Sequence, residues 1–213
     1  MIINSGSKQK KRIAVLASGN GSNLQAIIDA QKRNYFLGLG EVVLVVSDRK
    51  DAFALERARR EGIPAVFHNP LQYPGKKEYD AALLKILQQN HIQLIVLAGY
   101  MRMLTAQVIE AFYPAILNIH PSLLPSFPGK QGVQDALDYG VKITGATVHI
   151  VNEEMDKGPI ILQKAVPVQD DDDVEKLHGR IQEVEHYLYP EAIKLFCQGR
   201  LILKGRRCYI KNE

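Results

Sequence analysis

Two stretches of the chain pair side chains able to move a proton with backbone able to aim them. In Asn118-Ile119-His120-Pro121 the alternation of an extended strand puts Asn118 and His120 on one side, and Pro121 holds His120 extended. An amide donor and an imidazole aimed at one point can hydrogen-bond a developing oxyanion and shift its proton. A histidine at a strand end is more often structural when it stands alone. Here the Asn-x-His pairing against a proline-studded loop (Pro121, Pro125, Pro128) favours chemistry. A carboxylate follows in Asp156-Lys157-Gly158-Pro159, a composition that a plain turn also explains. Beside His120, Asp156 would orient the imidazole and favour its protonated form. Nothing in the spacing places the two together.

A third motif, Ser18-Gly19-Asn20-Gly21-Ser22-Asn23-Leu24, joins an apolar run to a helical one. Its glycines allow close backbone approach, and the free amides of a helix start suit an anion such as phosphate. No Gly-Lys-Ser/Thr follows, so it is not a P-loop, and Leu24 stands where a dinucleotide fingerprint needs its third glycine. A tight turn that binds nothing is the plainer alternative; phosphate is the preferred reading. Metal chemistry has little support. Cys197 and Cys208 form no CxxC pair and read as reduced thiols. The run Asp170 to Asp173 lacks the spacing and glycine of a calcium loop and reads as the first turn of a helix.

The elements that must position these residues are legible as an alternation. Apolar runs at 13–17, 42–46, 65–67, 94–98 and 115–119 read as buried strands. Between the early ones lie amphipathic stretches: Leu24, Ile27 and Ile28, with Ser22 or Asn23 placed to cap them; 52–60, closed by Gly62; and a stretch with Leu83, Leu84 and Leu87. This predicts an α/β fold with a doubly wound, mostly parallel sheet. Downstream come a helix near 133–139, strands near 147–151 and 159–168 as an antiparallel extension, and a long helix over 174–197 that Pro190 kinks or splits. A small hairpin around Gly205 ends the chain.

Size and composition bound the rest. The 213 residues, 46% apolar and 23% charged, suit a single soluble domain. Residues 1–11 are expected to be a disordered extension. Residues 12–213 are expected to form the domain, with a phosphate-binding half at 12–112 and a catalytic half at 113–213. No apolar run approaches the roughly 18 residues of a membrane span, and no signal peptide is evident, which points to the cytoplasm. The net charge of +4 is concentrated near the N-terminus without interleaved aromatics, so neither nucleic acid nor membrane is an expected partner.

Taken together, the motifs resemble those of the glycinamide ribonucleotide formyltransferases of purine synthesis. The shared pattern is the Ser18–Leu24 motif continued by Gln25, Leu-Ala-Gly-Tyr-Met-Arg-Met-Leu at 97–104, Asn-Ile-His-Pro-Ser-Leu-Leu-Pro at 118–125, and Asp156 followed closely by Gly-Pro. The resemblance runs from about Arg12 to beyond Leu201. It implies a Rossmann-like formyltransferase fold and a reaction in which 10-formyltetrahydrofolate, as co-substrate, gives its formyl group to the amine of a phosphoribosylated glycinamide without a metal. It further implies that Asn118, His120 and Asp156 are catalytic, that Gly21, Ser22 and Asn23 hold the substrate phosphate, and that Glu185 contacts its ribose. Folate would meet Lys76, Met101, Arg102, Met103, Leu104, Asn118, Asn152, Glu153, Glu154, Met155 and Asp156. His149 resembles a family residue near the site, although core packing explains it equally well. Small molecules are the implied partners, with the chain a monomer or homodimer.

Two positions depart from the pattern. Many relatives carry Arg where Lys76 stands, which turns a bidentate contact into a point charge, and many carry His where Gln131 stands. The nearest rival is a formyltetrahydrofolate hydrolase using the same trio on water. A formyltransferase acting on methionyl-tRNA would need a further basic C-terminal domain, and a catalytically dead binder would be expected to lack one of the trio.

Overall fold

The computed structural model describes residues 10–212. Of the extension expected over 1–11, residues 1–9 lie outside this range. Lys11 belongs to the fold as the first residue of a strand, its amide donating to the Leu39 carbonyl at 2.8 Å.

Strands β1 (Lys11–Leu16), β2 (Gly40–Ser47), β3 (Ala65–Phe67), β4 (Leu94–Leu97) and β5 (Ile116–His120) run parallel, and β6 (Ile143–Ile150) and β7 (Ile160–Pro167) continue the sheet antiparallel. The spatial order is β3-β2-β1-β4-β5-β6-β7. Alternation along β1 shows why both sheet faces are covered. Ile13, Val15 and Ala17 pack with α1 (Ser22–Lys32), α2 (Phe53–Arg60) and α6 (Val174–Cys197). Ala14 and Leu16 pack with α3 (Lys76–Gln89) and α4 (Ala106–Phe112) on the other side. The chain reverses its winding between β1 and β4, which opens a crevice at the C-terminal ends of these strands.

The remaining elements are α5 (Gly132–Tyr139) and the hairpin β8 (Leu201–Lys204) and β9 (Arg207–Ile210), which turns at Gly205. Three local expectations change. Helix α6 is not split at Pro190. An interior proline costs about 3 kcal/mol, whereas each fully buried large apolar side chain returns roughly 1.5–3 kcal/mol, and Leu188, Tyr189, Ile193 and Phe196 are all buried around it. Helix α4 is an addition that the sequence reading passed over. Strand β6 begins at Ile143 because Gly145 lets it press against β7, where a Cβ would lie 2.1 Å from the Lys164 carbonyl oxygen. One side chain fixes α6 over the crevice: the Tyr189 hydroxyl lies 2.9 Å from the carbonyls of both Leu97, the last residue of β4, and Leu117, near the start of β5.

Candidate active site

The crevice widens into a cavity of about 490 Å³, a size suited to a small organic ligand. Its walls come from the loop after β1, the β4–α4 connection, the end of β5, the β6–β7 connection and one face of α6.

The β1–α1 loop is shaped for an anion. Gly21 is the N-cap, in the left-handed region at φ 75°, and no side chain caps the helix. Ser22 and Asn23, expected to cap α1, are instead its first two residues, so its leading amides keep no side-chain acceptor. A side chain at Gly21 would fail twice, through its φ and through a Cβ contact of 2.8 Å with Ala54. The Asn23 amide donates to Glu185 on α6 at 2.8 Å, and Asn23 Oδ1 is buried without a partner. Glu185 is 4% exposed, and its carboxyl is pushed up to about 7 by burial, only partly offset by the Asn23 hydrogen bond.

At the other end, β5 delivers Asn118 and His120, and β6 delivers His149 beside them through the Asn118–His149 register. The Phe127 carbonyl accepts from His120 Nε2 at 2.7 Å, and because a carbonyl only accepts, Nε2 carries a proton. Phe127 reaches this position at φ 52°, and the neighbouring Gly132 leaves room for the ring, since a Cβ there would lie 3.2 Å from Nε2. The other nitrogen, Nδ1, faces Asp156 Oδ2 at 3.7 Å. His149 is held in the same way: Nδ1 donates to its neighbour's carbonyl, Ile150, at 3.1 Å, while Nε2 accepts from the Asn118 amide at 3.1 Å and lies 3.6 Å from Asp156 Oδ1. These separations exceed ordinary hydrogen bonds, so the carboxylate acts on both imidazoles mainly through its charge.

Asp156 stands at φ 55° in the β6–β7 connection. Gly158 allows that connection to fold back, because any Cβ there would fall 1.6 Å from the Ile150 carbonyl oxygen. Burial raises the Asp156 carboxyl, but the neighbouring His149, the Gly129 amide at 2.8 Å and the His120 imidazole outweigh it and hold it below its usual value. The proline loop after β5 is pinned through buried Thr147, whose hydroxyl donates to the Ser122 carbonyl at 2.6 Å and accepts from the Leu124 amide at 3.1 Å.

Of the residues expected at the site, Gly21, Ser22, Asn23, Met101, Arg102, Met103, Leu104, Asn118, His120, Asn152, Glu154, Met155, Asp156 and Glu185 line this one cavity. Lys76 and Glu153 do not. Lys76 is exposed at the first residue of α3, and Glu153 turns to a second, shallower hollow beside Glu110 and Tyr113. Gln131 is exposed and makes no capping bond at the start of α5. The sequence reading missed His178 and Gln182, which share the cavity-facing side of α6 with Glu185; the spacing 178, 182, 185 is the helical period that would have found them. Segment 101–104 is fastened at both ends, by the Met101 amide donating to Ser18 Oγ at 2.9 Å and the Thr105 amide donating to buried Asp80 at 2.6 Å. Among the described residues, no cluster of three or more His, Cys, Asp or Glu is arranged to hold a metal ion.

Comparison with known proteins identifies relatives of the whole chain. The sequence profile of the formyl transferase family matches residues 11–193. The phosphoribosylglycinamide formyltransferase of Haemophilus influenzae is 42% identical over 203 residues, 95% of each chain. The human trifunctional purine biosynthetic protein adenosine-3 is 41% identical over 208 residues, and this chain spans 20% of its length. The glycinamide ribonucleotide transformylase 1 structure from Symbiobacterium toebii superposes with a TM-score of 0.93 at 51% identity, covering 95% of both chains. A formyltetrahydrofolate deformylase from Pseudomonas syringae pv. tomato also superposes, with a TM-score of 0.88 at 26% identity, covering 96% of this chain and 67% of that one. The chain belongs to the formyl transferase family.

Proposed function

We propose that the chain transfers the formyl group of 10-formyltetrahydrofolate to the amine of N1-(5-phospho-D-ribosyl)glycinamide, giving the N2-formyl product and tetrahydrofolate in purine biosynthesis. The carrying observation is that a single cavity joins an uncapped helix start at one end to Asn118, His120 and Asp156 at the other. A phosphorylated acceptor and a formyl donor fit such a cavity end to end. On this reading the phosphate sits on the amides of Gly21, Ser22 and Asn23. Two buried acceptors, Asn23 Oδ1 and the Glu185 carboxyl, suit the hydroxyl donors of a ribose. The folate lies along Met101, Arg102, Met103 and Leu104 and against Asn152, Glu154 and Met155.

The neutral amine attacks the formyl carbon, and the carbonyl electron pair moves to oxygen. The Asn118 amide donates a hydrogen bond to that oxyanion. With Nε2 committed to Phe127, His120 works through Nδ1: protonated there, it stabilises the oxyanion and passes its proton towards the departing folate nitrogen. Asp156 keeps that proton on the ring by electrostatic attraction. The intermediate collapses with loss of the folate nitrogen, and the acceptor nitrogen's own proton returns to His120 Nδ1, which restores the ring. The chain acts in the cytoplasm on small molecules, as a monomer or homodimer; among the described residues no helix is long and apolar enough to cross a membrane.

The test follows folate absorbance as the protein meets 10-formyltetrahydrofolate with and without the ribonucleotide. Deformylation only in its presence is the expected result. Deformylation regardless of it would make water the acceptor and replace transfer by hydrolysis.

A further inference from the structure

The chain has four methionines, and Met101, Met103 and Met155 all line the cavity, while Met1 lies outside the described residues. Methionine is ordinarily a core residue, yet these three are 58%, 46% and 50% exposed. They come from two separate segments, the β4–α4 connection and the β6–β7 connection beside Asp156. Behind them the wall is formed by buried Leu104 and half-buried Val151, so the thioethers carry an apolar surface from the interior out to the mouth. The cysteines are shielded by comparison. Cys197 is 5% exposed with its thiol pushed up to about 12 by burial, and burial also raises half-buried Cys208. Neither offers much thiolate. Among the described residues, reactive, accessible sulfur is therefore concentrated at one end of the site.

We propose that Met101, Met103 and Met155 form an oxidative modification site, at which peroxide converts the thioethers to sulfoxides and closes the folate half of the cavity. The proposal rests on the formyl-transfer reading. Each sulfur attacks one peroxide oxygen, the O–O bond breaks, an S–O bond forms, and water leaves with both protons. The sulfur loses two electrons and the peroxide gains them, so no other reactant is required. A sulfoxide oxygen is a strong acceptor. Covering it with the flat aromatic part of a folate, with no donor opposite, weakens binding about tenfold for each one covered. The phosphate loop contains no sulfur and is left intact. Sulfoxides are reducible by methionine sulfoxide reductases, which makes the change reversible.

The experiment treats the full chain with hydrogen peroxide, with and without bound 10-formylfolate, whose oxidised pterin resists peroxide. Peptide mass spectrometry should place oxygen on the three methionines before either cysteine, and more slowly when 10-formylfolate is present. The Kd for 10-formylfolate should rise about tenfold or more, while that for the ribonucleotide changes by less than about twofold. Methionine sulfoxide reductase should restore the first value. The variant M101L/M103L/M155L, compared only with its own untreated sample, should keep its folate affinity through the same treatment. Unchanged folate affinity after complete oxidation would overturn the proposal alone, as would an equal loss in the leucine variant. Untreated protein that binds no 10-formylfolate would remove the formyl-transfer reading, and this proposal with it.

Discussion

At Asp156 burial and hydrogen bonding act in opposite directions on one carboxyl, and the favourable contacts win, so the group is anionic at neutral pH. Its folded value lies below the usual one, so its contribution to stability is present above about pH 4 and is lost as the pH falls through the lowered value. In the proposed reaction the consequence is larger. Asp156→Asn keeps the shape but removes the charge that favours a proton on His120 Nδ1, and kcat should fall by about a hundredfold or more. Initial rates at saturating substrates check this; a kcat within about threefold of the wild type would remove the electrostatic role of Asp156. The types and order of Asn118, His120 and Asp156 were legible in the sequence because each sits in a motif with its own turn chemistry. Their shared geometry was not. The Phe127 carbonyl that fixes the His120 tautomer depends on a left-handed residue that no periodicity marks, and His149 read equally as a core or a site residue because it is both, 2% exposed on β6 and on the cavity wall.

The β1–α1 loop, proposed to hold the substrate phosphate, is braced by α2. Its residue Arg57 donates from Nε to the Asn20 carbonyl at 2.9 Å, from Nη2 to Asn20 Oδ1 at 2.9 Å and from Nη1 to Gln25 at 3.2 Å, while its guanidinium lies 4.7 Å from the Phe53 ring centre. The Ala54 amide adds a bond to the Gly19 carbonyl at 3.1 Å. A planar fork reaches these acceptors from three separate nitrogens, whereas an ammonium offers its donors from a single one. Arg57→Lys should therefore raise KM for the ribonucleotide about three- to tenfold, and Arg57→Met about tenfold or more, with the folate KM and kcat changed little. Steady-state kinetics with each substrate varied checks the split, and a fall in kcat with unchanged KM would rule out positioning of this loop by Arg57. The sequence supplied α1, α2 and the glycine loop between strand and helix. It gave the wrong cap for α1, because Ser22 and Asn23 are favourable cap residues by type and only the Gly21–Ala54 contact shows that the loop turns one residue earlier. Helix α4 was passed over for a related reason: at seven residues, with only Val108 and Ile109 buried, it shows too little period to read.

Strand–helix alternation was enough to predict the parallel half of the sheet, but not how the last helix closes the molecule over its own crevice. Helix α6 packs beside α1 and across β6 and β7, and is tied by Tyr189 to β4 and β5, so it brings Glu185 to Asn23 at the start of α1 from 162 residues away. No local pattern encodes that distance. The closure has an electrostatic cost for the whole fold. In the unfolded chain Glu185 ionises near its ordinary value of 4.5, whereas in the folded protein it does so near 7. Between these limits the unfolded state has lost a proton that the native state still holds, so stability falls as the pH rises from about 4.5 to about 7 and the contribution is flat beyond. The loss from this group is roughly 3 kcal/mol. Glu185→Gln removes the titration while keeping an oxygen to accept from Asn23. Its unfolding free energy, measured in urea at pH 5 and pH 8, should therefore drop less between the two than that of the wild type, leaving the variant the more stable of the pair at pH 8. The same change should weaken ribonucleotide binding, since a neutral amide replaces a carboxylate facing the ribose in the proposed reading. Equal pH dependence in the two proteins would mean that Glu185 is ionised in the native state at pH 5 and that the buried carboxyl imposes no such cost.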